Sequence, residues 1–129
     1  MTTTQLDSLS KRIIGASIEI HKKLGPGLLE SVYEHCLVRE LNCQNIRTAR
    51  QLKLPVYYKG EKLDKNFFID ILVEDEIILE LKCVESLLPV HEVQLVTYLR
   101  LADKKLGFLL NFDVPIMKQG IKRKVSNFY

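Results

Sequence analysis

A chain of 129 residues, 47% hydrophobic and 27% charged, is sized and composed for one domain with a real core and is too short for two. No apolar run approaches the roughly 18 residues of a membrane span, and residues 1–12 lack the apolar segment of a signal peptide, so a cytoplasmic protein is expected. The net charge of +3 is too weak to argue for nucleic-acid binding on its own.

Leu6, Leu9, Ile13, Ala16 and Ile20 recur at intervals of three and four, which predicts a helix from Leu6 to Leu24. Asp7 or Ser8 could cap its start, and Gly25-Pro26-Gly27 ends it. A second helix is expected from about Leu28 to Asn42, with Leu29, Val32, Tyr33, Cys36, Leu37 and Leu41 as its apolar stripe. The period then shortens to two. Residues 46–58 read as extended, with Leu52, Leu54, Val56 and Tyr58 in alternation, and Lys59-Gly60-Glu61 marks a turn. Strands over 63–73 and 77–84 follow, joined by Glu74-Asp75-Glu76. Pro89 opens a third helix to about Lys104, where its missing N–H costs nothing. A strand over Gly107–Phe112 and a final extended piece over 121–128 complete the chain. The order (helix, helix, three strands, helix, strand, tail) predicts a single α/β domain over 1–129, a mixed sheet flanked by helices.

Cys36, Cys43 and Cys83 are an odd number without a CxxC pair, and read as reduced structural thiols rather than a zinc or iron–sulfur site. After Asp113 there is no acid, while Lys118, Lys122, Arg123 and Lys124 make a basic end. Such an end suits a phosphate backbone, although a solvated charged face is the commoner explanation. Phe67, Phe68, Phe108 and Phe112 lie in strand patterns and are assigned to the core, leaving no platform for stacking bases.

The chemistry concentrates between Phe68 and Lys82. If Glu74-Asp75-Glu76 is the turn, Val73 pairs with Ile77 and the continued ladder sets Asp70 opposite Glu80, with Lys82 on the same face as Glu80. Two carboxylates facing each other across a ladder repel, and a hard divalent cation between them would relieve the repulsion. Magnesium keeps several waters and needs few protein oxygens, so Asp70, Glu80 and the Leu81 carbonyl could suffice. Phosphodiester hydrolysis is a reaction such a site could support: the ion would act as Lewis acid and acidify water, and Lys82 would either orient that water or stabilise charge building on phosphorus.

Asp70, a spacer and then Glu80-x-Lys82 on a hairpin resemble the PD-(D/E)XK nuclease superfamily, the restriction-endonuclease-like fold. Gly27-Leu-Leu-Glu30-Ser-Val-Tyr33 is similar to the signature of the GxxExxY family placed in that superfamily, and Gln94-Leu-Val-Thr-Tyr98 is similar to the QxxxY motif of its RecB-like branch. Gly107–Phe112 and Arg123 resemble the family's closing region, so the resemblance spans about Ile13 to Phe128. The superfamily's proline is missing, since Ile69 precedes Asp70.

The resemblance implies Asp70 and Glu80 as central metal ligands, Glu30 as a further ligand acid, Lys82 as catalytic lysine, and Gln94 and Tyr98 as residues that orient substrate or the lysine. Glu30 near a helix start would also suit the helix dipole. Tyr33 is read as a core or supporting aromatic. His91 shares a helix face with Gln94 and Tyr98 and could extend a polar cluster, although a packed or exposed histidine is the commoner case. The expected activity is a Mg2+- or Mn2+-dependent nuclease acting on nucleic acid, DNA in the first instance. The alternative is a non-catalytic nucleic-acid- or protein-binding adaptor that keeps the fold. A homo-oligomer or a partner protein that supplies specificity is also compatible with the chain's small size.

Overall fold

The structure, a computed structural model, describes residues 1–126. Positions 127 and 128 of the expected final extended piece, and the Phe128 end of the family resemblance, lie outside them. Its elements are α1 (Thr3–Leu24), α2 (Glu30–Cys43), β1 (Thr48–Tyr58), β2 (Glu61–Val73), β3 (Ile77–Lys82), α3 (Pro89–Ala102), β4 (Leu106–Asn111), a short 3-10 helix (Met117–Gly120) and β5 (Ile121–Val125). The strands form one sheet in the order β1-β2-β3-β4-β5. Neighbours are antiparallel except β3 and β4, which run parallel and are linked by α3 as the crossover that parallel pairing requires. This is the expected mixed sheet flanked by helices.

Alternation along β3 sets the layers. Ile77, Leu79 and Leu81 enter a core with Ile13 and Ile20 of α1 and with Tyr33 and Leu37 of α2. Ile78 points the other way, into a second core with Leu95, Tyr98 and Leu99 of α3. Each fully buried aliphatic side chain contributes about 1.5–3 kcal/mol, so the sheet is clamped from both faces. No described helix is long and apolar enough to cross a membrane.

Several boundaries differ from expectation for identifiable reasons. The first helix starts at Thr3, not Leu6, and its cap is Thr2 rather than Asp7 or Ser8. Thr2 Oγ1 accepts from the Gln5 N–H while the Gln5 side chain accepts from the Thr2 N–H, a reciprocal box that satisfies two otherwise orphaned donors. The second helix starts at Glu30, not Leu28. Gly25 and Gly27 take positive φ (69° and 97°), and the buried Tyr33 ties the turn by donating to the Gly25 carbonyl (2.6 Å) and accepting from the Leu28 N–H (3.2 Å). The Tyr33 ring stacks on Phe112 at 4.4 Å, in keeping with its expected supporting role.

The third strand stops at Lys82, two residues early, because side chains take over the next donors: Cys83 N–H goes to Glu30 Oε2 and Val84 N–H to Asn111 Oδ1. Phe108 and Phe112 are buried as expected, but Phe67 and Phe68 are not core residues; they are 42% and 50% exposed. Alternation assigned them faces, yet α3 reaches only the root of the outer β1–β2 hairpin, where Leu54 is buried and Phe67 meets Tyr98, and it leaves both phenylalanines half exposed.

Strand β2 also changes faces partway along its length. Ile69 belongs to the α3-side core and Ile71 to the opposite one, although residues two apart in a regular strand share a face. Across the ladder Gln51 adopts φ 48°, while the pairs Leu52↔Ile69 and Arg50↔Ile71 keep one register on either side of it. The two strands therefore turn over together at Gln51 and Asp70.

Candidate active site

The site forms where β2 and β3 part. Their ladder runs Val73↔Ile77, Leu72↔Ile78, Ile71↔Leu79 and ends there. At the next position side chains replace the main-chain bonds: Asp70 N–H donates to Glu80 Oε1 (3.2 Å) and Leu81 N–H donates to Asp70 Oδ2 (2.9 Å). Each carboxylate thus caps a donor on the other's strand. The expected juxtaposition of Asp70 and Glu80 is present, tighter than a simple cross-strand pair.

Glu80 is nearly buried. Burial first, then the neighbouring Asp70 charge, pushes its carboxyl up to about 8, against the opposing pull of the Asp70 N–H and the Lys82 ammonium. A hydrogen bond with the Asp70 side chain also favours the protonated form. Lys82 is half-buried on the same strand face, within electrostatic reach of Glu80.

On the α3 side, Gln94 Nε2 donates to the Tyr98 hydroxyl at 3.2 Å. Tyr98 is buried, and burial followed by the charges of Glu80 and Asp70 raises its phenol above the ordinary value, so it remains a proton-bearing donor at neutral pH. The spacing of four thus brings Gln94 and Tyr98 together and sets Tyr98 beside the acids. His91 does not join them: its Nδ1 accepts the Leu88 N–H at 3.0 Å and closes the first turn of α3.

Glu30 stands at the end of β3, where it receives the Cys83 N–H, and not beside the Asp70–Glu80 pair in one cage. Among the described residues no group of three or more His, Cys, Asp or Glu converges as a metal site. The Cys83 thiol is held up at about 11, by burial first and then by Glu30 and Asp113, so it stays protonated at neutral pH. The three cysteines are free.

Two residues escaped the sequence reading. Gln51 Nε2 donates both to Glu34 Oε1 (3.0 Å) and to Asp70 Oδ1 (3.3 Å), and the buried Glu34 pairs with Arg50 at 3.6 Å. Glu34 could have been found, because it follows Glu30 by one helical turn on the same face. Gln51 gave no signal: a polar residue in an alternating strand reads as exposed surface.

The donor chemistry suits a hard divalent ion. Asp70 and Glu80 are adjacent carboxylates of which one is costly to ionise alone, and Mg2+ commonly takes only one or two protein carboxylates, completing its shell with water and substrate oxygens. The model of the PD-(D/E)XK nuclease superfamily matches residues 7–124. No curated protein and no solved structure matches the chain significantly.

Proposed function

The chain belongs to the PD-(D/E)XK nuclease superfamily, and from that premise we propose that it is a divalent-metal-dependent phosphodiester hydrolase acting on DNA. Its place within the superfamily is proposed to be the GxxExxY family of the RecB-like branch, on the strength of Gly27–Tyr33 and Gln94–Tyr98. The observation that carries the activity is the reciprocal capping of Asp70 and Glu80 at the opened ladder, beside Lys82.

Asp70, Glu80 and the Leu81 carbonyl would hold Mg2+ or Mn2+, with Glu30 as an outlying acid. When bound, the ion would supply Lewis-acid polarisation of the phosphate and a more acidic attacking water. The chain's own residues do the positioning. Asp70 is fixed by the Leu81 N–H and by Gln51, so its free lone pairs keep one direction. The Lys82 ammonium orients the attacking water or stabilises the charge that builds on phosphorus as the water oxygen bonds to it and the sugar oxygen leaves. Tyr98, steered by Gln94, offers a hydroxyl donor to the substrate or to these groups.

A cleavage assay on single-stranded and duplex DNA with Mg2+ or Mn2+ tests the reading. Wild type should cut, chelation should stop it, and Lys82→Ala should slow it by about 100- to 1000-fold, the usual loss of one transition-state donor. Equal rates for the two proteins, or no cleavage by wild type across metals and substrates, would reject it.

A further inference from the structure

The outer half of the β1–β2 hairpin has no use in the site as described. It is rooted at the Leu54–Phe67 pair, where Leu54 is buried in the α3-side core; beyond that pair Tyr57 (61% exposed), Tyr58 and Leu63 stand in solvent, and Phe67 and Phe68 are half exposed at the root. The stretch from Leu52 to Phe68 carries Lys53, Lys59, Lys62 and Lys65 against only Glu61 and Asp64, and among the described residues none of the four lysines is in an ion pair. Cross-strand pairing interleaves the two kinds of side chain: Lys53 is opposite Phe68, and Tyr57 is opposite Lys62. The ribbon's root is the site itself. Phe67 packs its ring 5.5 Å from that of Tyr98, and Asp70 follows Phe68 by two residues.

From this geometry we infer that the hairpin is a binding ribbon for unpaired DNA, which leads a single strand to Asp70 and Glu80. The inference deepens the proposed function and rests on it. Exposed aromatics at intervals along a cationic track are what a single strand needs, since every base offers a face to stack and every phosphate a charge to neutralise. A second copy of the chain is the competing occupant, because β1 is an edge strand. Pro55 removes a ladder donor from that edge and Lys53 sets a charge on it, both of which oppose strand-to-strand addition. Two copies of a ribbon with excess positive charge also repel, whereas a polyanion is complementary.

The test is fluorescence-anisotropy binding of a labelled single-stranded oligonucleotide and its duplex, in EDTA to prevent hydrolysis. The proteins are wild type, a Tyr57→Ser/Phe68→Ser double variant and Lys53→Gln. Wild type should prefer the single strand. The double variant should lose about fivefold or more in affinity, the scale of one lost base-stacking contact. Lys53→Gln should lower the slope of log affinity against log salt by about 0.7, one released counterion. Thermal melts of all three should coincide, since the substituted side chains are exposed. Unchanged binding by both variants, or equal binding of duplex, overturns the ribbon while leaving the nuclease reading standing. Failure of wild type to bind any DNA in EDTA also overturns the ribbon, while the nuclease reading is decided separately by the cleavage assay with metal. A dimer of wild type in sedimentation that the double variant dissolves would instead make this face a self-interface and also overturn the inference.

Discussion

Gln51 is bonded to Asp70 across the strand pair at 3.3 Å, from a backbone held at φ 48°. A non-glycine residue in that region costs about 1 kcal/mol, which the bonds from its amide to Asp70 and Glu34 offset. Gln51→Gly separates the two effects, because glycine accepts the backbone and lacks the amide. Cleavage should fall about 10- to 100-fold, the range seen when the partner of a metal ligand is removed, with the melting temperature unchanged or higher. A variant that melts lower yet cuts at the wild-type rate would assign Gln51 to stability alone.

The buried acid makes stability depend on pH in a stated direction. Glu80 is pushed up from 4.5 to about 8 in the folded chain. Its contribution is complete below the unfolded value and is lost as pH rises towards and through about 8. Metal-free protein should therefore weaken over that interval by up to about 1.4 kcal/mol per pH unit. Urea melts in EDTA should show that slope for wild type and a flatter one for Glu80→Gln. Added Mg2+ should raise the wild-type midpoint more above the Glu80 titration than below it, because binding then displaces no proton.

Gly120 lies against the main chain of Asn111, the residue whose side chain holds Val84 through both its oxygen and its nitrogen. A Cβ there would come 2.1 Å from the Asn111 carbonyl oxygen, so something must shift. Gly120→Ala should cost about 1–3 kcal/mol, as overpacking does, and differential scanning calorimetry should register a lower transition. An unshifted transition would mean that the 3-10 segment yields freely.

Tyr33→Phe keeps the ring stacked on Phe112 and deletes only the hydroxyl that ties Gly25 to Leu28. Leaving those partly buried partners unmet should cost about 1–3 kcal/mol. Equilibrium denaturation should read the loss, and the same variant should retain measurable cleavage, since the Tyr33 hydroxyl bonds Gly25 and Leu28 rather than Asp70 or Glu80. Abolished cleavage in a stably folded variant would move Tyr33 from support into the chemistry.

Much of the architecture was legible because the chain punctuates itself. Gly25-Pro26-Gly27 and Pro89 mark helix ends, and the change from a period near 3.6 to a period of two falls where the helices give way to strands. The acidic turn fixed the register, and Val73 does pair with Ile77, which sets Asp70 beside Glu80. What stayed hidden depends on the third dimension. Alternation says which way Phe67 and Phe68 point but not whether a helix lies over them. It also assumes a ladder that continues, whereas here the carboxylates take over its donors and Gln51 enters from a third segment. Thr2 as a cap was missed because the helical stripe begins only at Leu6, although Thr2 and Gln5 have the spacing of a capping box.

The turnover of β2 at Asp70 divides one strand between two duties, a structural plank beyond Ile71 and a projecting arm before Ile69, seated on α3 only through Phe67 at its root. Residues added or removed in matched pairs at the arm's tip would alter its reach without displacing the acids, because the register that holds them is fixed on the plank side. Reach and chemistry can thus be adjusted independently along a single stretch of backbone.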